Sequence, residues 1–204
     1  MKKWIMLSLI LFCKGLSAQM WSDTSASYFF TIQYRPLDFY YNLSAADVGL
    51  YYYNPAHEVH FSIKGGGGTY YPKKEFSSCE SNSLFVKPGI FIASNRQAEK
   101  LQITLGLTGI YSYEKQSIQS IHIDPFWGDL KKTYNSKIHK FGAALELAFF
   151  LRITRAFQGV ISLQSNYNFY DSATIKVFNY FPGGGFPHNN NFNVSLGLIY
   201  KLNK

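Results

Sequence analysis

The segment Phe192-Asn193-Val194-Ser195-Leu196-Gly197-Leu198-Ile199-Tyr200-Lys201-Leu202 decides the fold. Phe192, Val194, Leu196, Leu198, Tyr200 and Leu202 are apolar, and Asn193, Ser195, Gly197, Ile199 and Lys201 fall between them. Successive side chains of a β-strand point to opposite faces, so one face of this strand is apolar and the other is mostly small or polar. Such a strand needs an apolar medium on one side only.

Seven earlier segments repeat the alternation: 27–35, 45–53, 57–71, 83–94, 100–113, 138–154 and 157–170. The fifth is the cleanest. Leu101, Ile103, Leu105, Leu107, Tyr111 and Tyr113 share one face, against Gln102, Thr104, Gly106, Thr108 and Ser112. The connections alternate in length. Those at 54–56, 95–99 and around Arg155-Ala156 are short; those at 36–44, 72–82, 114–137 and 171–191 are long. The count of eight, the period of two and the alternating connections predict an all-β, eight-stranded, antiparallel up-and-down transmembrane β-barrel. An even count closes the sheet and leaves no edge of unpaired backbone groups, which lipid does not tolerate.

Composition agrees. The 204 residues suffice for one domain, 18% are aromatic and only 16% are charged. Outside the N-terminus no apolar run reaches the roughly 18 residues of a membrane-spanning helix, which excludes a helical membrane protein. Lys2 and Lys3, a short apolar core from Trp4 to Phe12, and Leu16-Ser17-Ala18 read as an export signal over residues 1–18, with residues 19–204 as the barrel domain. Phe12 before Cys13 argues against a lipoprotein site. Cleavage removes three lysines, so the formal charge becomes 17 − 12 = +5 rather than +8. Export argues against nucleic acid as partner, and anionic headgroups suit the sign better. Cys79 is left alone and makes no internal disulfide; it reads as a passive loop thiol.

Alternation also fits a lipocalin-like lipid binder, whose apolar face points inward around a ligand. The polar face decides against it. Gly, Ala, Ser, Thr, Asn and Gln suit the crowded interior of an eight-stranded barrel better than a solvated surface. Tyr70, Tyr71, Tyr111, Tyr113, Tyr167 and Phe169 gather toward the long loops, and Phe157 and Tyr200 toward the short turns, as in aromatic girdles.

On these features the chain resembles small outer-membrane β-barrel proteins of Gram-negative bacteria, of the OmpA/OmpX size class, among them many uncharacterised, porin-like families. The resemblance covers nearly all of the chain after Ala18 and implies an outer-membrane monomer in contact with lipid and lipopolysaccharide, with both termini periplasmic. It is a pattern rather than a motif, so it speaks for fold more than for function.

The inward face is expected to carry Arg35, Asp47, Lys64, Lys87, Glu146 and Arg152, with His60 nearby. Buried charges need partners, and Glu146 with a basic residue is the obvious pair. Such charges either plug the barrel or line a narrow transport pore selective for anions. Pro88 in the fourth strand predicts a bulge, and Gly65 to Gly68 a sharp bend or close backbone approach, since no Gly-Lys-Ser/Thr follows to make a phosphate loop. His122 and Asp124, near Ser117 and Ser120, are the best cluster for a lipid A-modifying enzyme; no nucleophile motif surrounds them, and no catalytic, metal or cofactor residues are assigned. Aromatics with Pro and Gly at 122–128 and 181–187 make loops 114–137 and 171–191 candidates for an extracellular ligand. The expectation is a non-enzymatic surface barrel with an envelope-structural or loop-mediated binding role.

Overall fold

In the computed structural model, the described residues are 27–36, 43–54, 58–71, 73–74, 77–93, 101–124, 128–154, 156–173 and 192–202. The expected export signal and most of loop 171–191 lie outside them. The elements are β1 (Ser27–Tyr34), β2 (Leu43–Asn54), β3 (Val59–Tyr70), a two-residue β4 (Lys73–Lys74), β5 (Ser77–Ala93), β6 (Leu101–Asp124), β7 (Gly128–Arg152), β8 (Phe157–Asp171) and β9 (Phe192–Lys201).

Each long strand pairs antiparallel with its neighbour in sequence, and β4 folds back on the start of β5. The ring closes where Phe29 to Tyr34 of β1 pair with Leu196 to Lys201 of β9. The amide of Leu202 adds a hydrogen bond to the Tyr28 carbonyl at 2.9 Å. The final alternating segment is therefore the strand that removes the sheet's last edge.

The turn between β7 and β8 is held by Thr154, whose hydroxyl accepts from the amides of Ala156 (3.2 Å) and Phe157 (3.0 Å). Short side chain-to-backbone bonds of this kind fix tight turns. The opposite end differs from expectation. Residues 114–124 and 128–137, read as part of one loop, continue β6 and β7 as a paired ladder up to Asp124 opposite Gly128. The strand geometry persists there, but most of the residues are polar on both faces, so the hydrophobic signal vanishes while the hydrogen-bonded ladder continues. Likewise β5 begins at Ser77 and β2 at Leu43, inside stretches read as loops.

Pro88 makes no bulge. Its pairing with Ile63 keeps register, and β5–β6 pairing skips Lys87 and Pro88, then resumes unshifted at Gly89. The irregularity falls instead at Phe141/Gly142 against β8. Gly66 bears out the expected close approach: a Cβ there would lie 2.1 Å from the Ala46 carbonyl oxygen and 2.6 Å from the Phe85 ring.

The faces settle the orientation of the barrel. Ile32, Ile63, Leu107, Leu145, Ile161 and Leu198 are exposed on the outside, whereas Thr31, Lys64, Thr108, Glu146, Ser162 and Asn193 are buried. A lipocalin would have these reversed. Two aromatic belts flank the outer apolar band. Tyr28–Tyr52 (5.1 Å between rings) and Phe157–Tyr200 (5.0 Å) lie toward the turn end. Tyr111–Phe141 (4.9 Å), Phe141–Tyr170 (6.0 Å) and Tyr167–Phe169 (5.2 Å) lie toward the loop end. Tyr70, expected in that belt, is turned inward and buried.

Candidate functional site: the barrel interior

Three layers fill the interior. At the turn end the inward positions carry Phe29, Tyr51, Tyr53, Phe91, Phe150, Val160 and Ile199, which form one buried cluster with Ala148. Tyr51 meets Phe150 edge-on at 6.1 Å, and His60 stacks on Phe150 at 6.2 Å. Gly106 is required here, because a Cβ would lie 2.2 Å from the Phe91 ring. Only about 10 Å³ remains free among Phe29, Tyr51, His60, Gln102, Phe150, Gln158 and Ile199. That is at most the room of one water molecule.

The middle layer is ionic. Lys64 and Lys87 are directly opposite one another on β3 and β5. Like charges so placed repel, and each is turned to a carboxylate from elsewhere in the wall. Lys64 Nζ donates to both oxygens of Glu146 at 2.7 and 2.8 Å. Lys87 donates to Asp47, whose other oxygen lies 3.5 Å from the Arg35 guanidinium. Aromatic faces complete the lining: Lys64 lies 5.6 Å from the Phe91 ring centre, and Arg35 lies 5.0 Å from that of Phe85. Beside this layer Ser162 and Ser195 share a hydrogen bond at 2.5 Å, and Ser195 donates to Gln33.

The third layer lies toward the loop end, in a stretch that reads as loop from the sequence and that the structure shows to continue β6 through Glu114. Lys140 Nζ sits 3.1 Å from Glu114 and 4.0 Å from Asp171. Glu114 also accepts from Ser81 and from Gln116 (2.8 Å). Continuing the two-residue alternation past Tyr113 would have placed Glu114 inside.

Of the expected inward charges, Arg35, Asp47, Lys64, Lys87 and Glu146 are buried together, and His60 joins the aromatic layer. Arg152 is a correction: it is exposed at the turn-end rim, where alternation gives way to the turn. The expected excess of positive charge inside holds by one charge among the fully buried described residues and is offset only by Asp171 toward the loop end. Among the described residues the buried cations Arg35, Lys64, Lys87 and Lys140 face Asp47, Glu114 and Glu146, with the mostly buried Asp171 as a fourth carboxylate. Cys79 is not a loop residue; it is buried in β5, above the aromatic belt and outside the apolar band. All four members of the proposed catalytic cluster fall on β6 rather than in a loop, and Ser117 and Ser120 lie on opposite faces of it.

A closed barrel with an apolar exterior, aromatic belts and a charge-paired interior defines an outer-membrane-type β-barrel. The structure of a major outer membrane protein from Thermus thermophilus is similar, with a TM-score of 0.57 at 8% identity, covering 87% of this chain and 100% of that one. The N-terminal β-barrel domain of Pseudomonas aeruginosa OprF is also matched, over 88% of this chain and 98% of that one, at 11% identity and a TM-score of 0.36. No protein-family model matches the chain, and no curated protein matches its sequence.

Proposed function

We propose that the protein acts in the outer membrane of a Gram-negative cell as a closed, non-enzymatic barrel, with its termini in the periplasm and its β6–β7 extension outside. The observation carrying this reading is the filled interior. The turn-end layer leaves about 10 Å³, and every charged group of the middle layer has an opposite charge in contact. A conducting lumen needs a continuous aqueous path and sites that release their ion, and tightly paired charges oppose both.

The extension supports a role outside. A bilayer takes about 9–11 residues of a tilted strand, and β6 has 24. From Lys115 to Asp124 the hairpin continues beyond the aromatic belt, about 31 Å along the strand. This is where an extracellular ligand would be met, and where the envelope-structural and binding readings converge.

Planar bilayer recording tests the closed barrel. The expected result is no stepwise current at moderate voltage. Reproducible unitary steps from the folded protein would replace this reading with the narrow pore. Mass spectrometry of lipid A from cells with and without the protein tests the non-enzymatic part. Identical lipid A is expected, and a change in acylation that depends on the protein would overturn it.

A further inference from the structure

On the outer wall, Lys115 of β6 and Lys137 of β7 are directly opposite partners, and both are exposed. They lie one outward position beyond Tyr113 and His139, whose rings are 5.1 Å apart, and His139 in turn is 3.0 Å from the Tyr111 hydroxyl. Like charges paired across strands are unfavourable, so the pair is better placed with an anion between its members. Two adjoining grooves meet here and share Asn82 and Lys115. The lower holds about 450 Å³ between Gly67, Leu84 and Tyr113, and the upper about 610 Å³ between Glu80, Asn135 and Lys137.

Height agrees with a phosphate. The outer apolar stretch of β6 runs from Leu101 to Tyr113, centred on Leu107. Eight residues separate Leu107 from Lys115, about 27 Å along the strand and about 19 Å in height at a 45° tilt. Half the hydrocarbon core is about 15 Å, so the ammonium groups stand at headgroup level.

We propose that Lys115 and Lys137 bind a phosphate of an outer-leaflet lipid, whose acyl chain lies in the groove floored by Gly67 and walled by Leu84 and Tyr113. This rests on the outer-membrane reading above. The basic upper groove suits an anionic head, and the lower one opens onto the apolar band, which a free phosphate would not use. Among the described residues lining the grooves, Glu80 is the one carboxylate against two lysines.

The test is native mass spectrometry of the full-length protein from phosphatidylcholine nanodiscs doped with bisphosphorylated lipid A. Wild type should retain lipid A, and Lys115→Gln/Lys137→Gln should retain about tenfold less, the scale of losing hydrogen bonds to a charged group. Lys131→Gln/Lys132→Gln, which removes the same charge from the distal hairpin, should retain it. Equal retention by the first double variant overturns the site, and so does an equal loss in the second. Displacement of lipid A by inorganic phosphate at matched concentration would show a free-anion site and overturn the lipid assignment. Lys137→Gln alone serves if the double variant fails to assemble. The heat-dependent gel shift reports the barrel separately. A shift without lipid retention removes only this inference, whereas a wild type without a shift removes the barrel reading as well.

Discussion

Replacing Glu146 by Gln tests the interior. Glu146 is fully buried, and both its oxygens accept from Lys64 Nζ, at 2.7 and 2.8 Å; Thr108 donates weakly at 3.4 Å. Lys64 has aromatic faces of Tyr51 and Phe91 beside it, at 5.8 and 5.6 Å, and among the described residues no second carboxylate in contact, because Asp47 is held by Lys87 and Arg35. The neutral amide would leave a buried ammonium uncompensated, a loss of about 3–5 kcal/mol. At a urea slope of about 2 kcal/mol/M, a loss of about 4 kcal/mol lowers the unfolding midpoint by about 2 M. The assay is urea titration of the protein in lipid vesicles, read by the heat-dependent gel shift. Lys64→Met/Glu146→Leu removes both charges and should recover most of the loss, because well-packed apolar replacements of buried pairs are often neutral. The coupling between the two sites should then exceed about 2 kcal/mol. A loss below about 1 kcal/mol for Glu146→Gln would mean that water reaches Lys64, and a double variant no better than the single would mean that the ion pair is not the unit of stability. Either result would refute the plugged interior.

Three further outcomes follow from the same geometry. Leu107→Arg, at the middle of the outer apolar band, should cost about 2–4 kcal/mol in lipid, read by the same urea titration; no loss would put the lipid face elsewhere. Gly66→Ala should cost about 1–3 kcal/mol by overpacking against the Ala46 carbonyl and Phe85, while Gly65→Ala, whose nearest contact would be 3.4 Å, should stay within about 0.5 kcal/mol. Burial, reinforced by Glu114 and Glu80, pushes the Cys79 thiol up to about 11; thiolate is scarce below that pH, so maleimide labelling of the folded barrel should be slow at about pH 7.5 and fast after denaturation, and equal rates would show the thiol to be open.

Legibility followed what each face meets. Where lipid is the medium, the outer face must be apolar at every second residue, so β6 from Leu101 to Tyr113 and all of β9 were readable to within a residue or two. Above the belt the outer face leaves the lipid and turns polar, while much of the packed inner face is polar as well. Ser117, Gln119, Asn135 and Lys137 then carry no periodic contrast, and the ladder that places them became visible only as backbone pairing. Arg152 is the last residue of its strand, where the alternation gives way to the turn, whereas Tyr70 keeps the parity of His60, Ser62 and Lys64 and faces inward with them, so the alternation itself placed it inside. The charges of the middle layer were legible as inward residues, but their partners were not. Lys64 finds Glu146 across 82 positions, and only closure of the barrel brings them together.

The arrangement of charge explains why the fold was easier to read than the function. An interior lysine opposite another lysine is tolerated only if each has its own carboxylate, so Lys64, Lys87, Asp47 and Glu146 are tied to one another by the requirement to fold. Their chemistry is satisfied within the chain and leaves little to offer a solute. Lys115 and Lys137 form the same opposed pair on the outer wall, where no burial demands a partner and where water already lowers the cost of keeping them charged. Charges that the fold does not use are the ones free to meet something outside it. The two pairs therefore respond oppositely to neutralisation: loss of charge at Lys64 alone unbalances Glu146 and weakens the barrel, whereas Lys115→Gln relieves a cross-strand repulsion and should leave the unfolding midpoint equal or slightly higher.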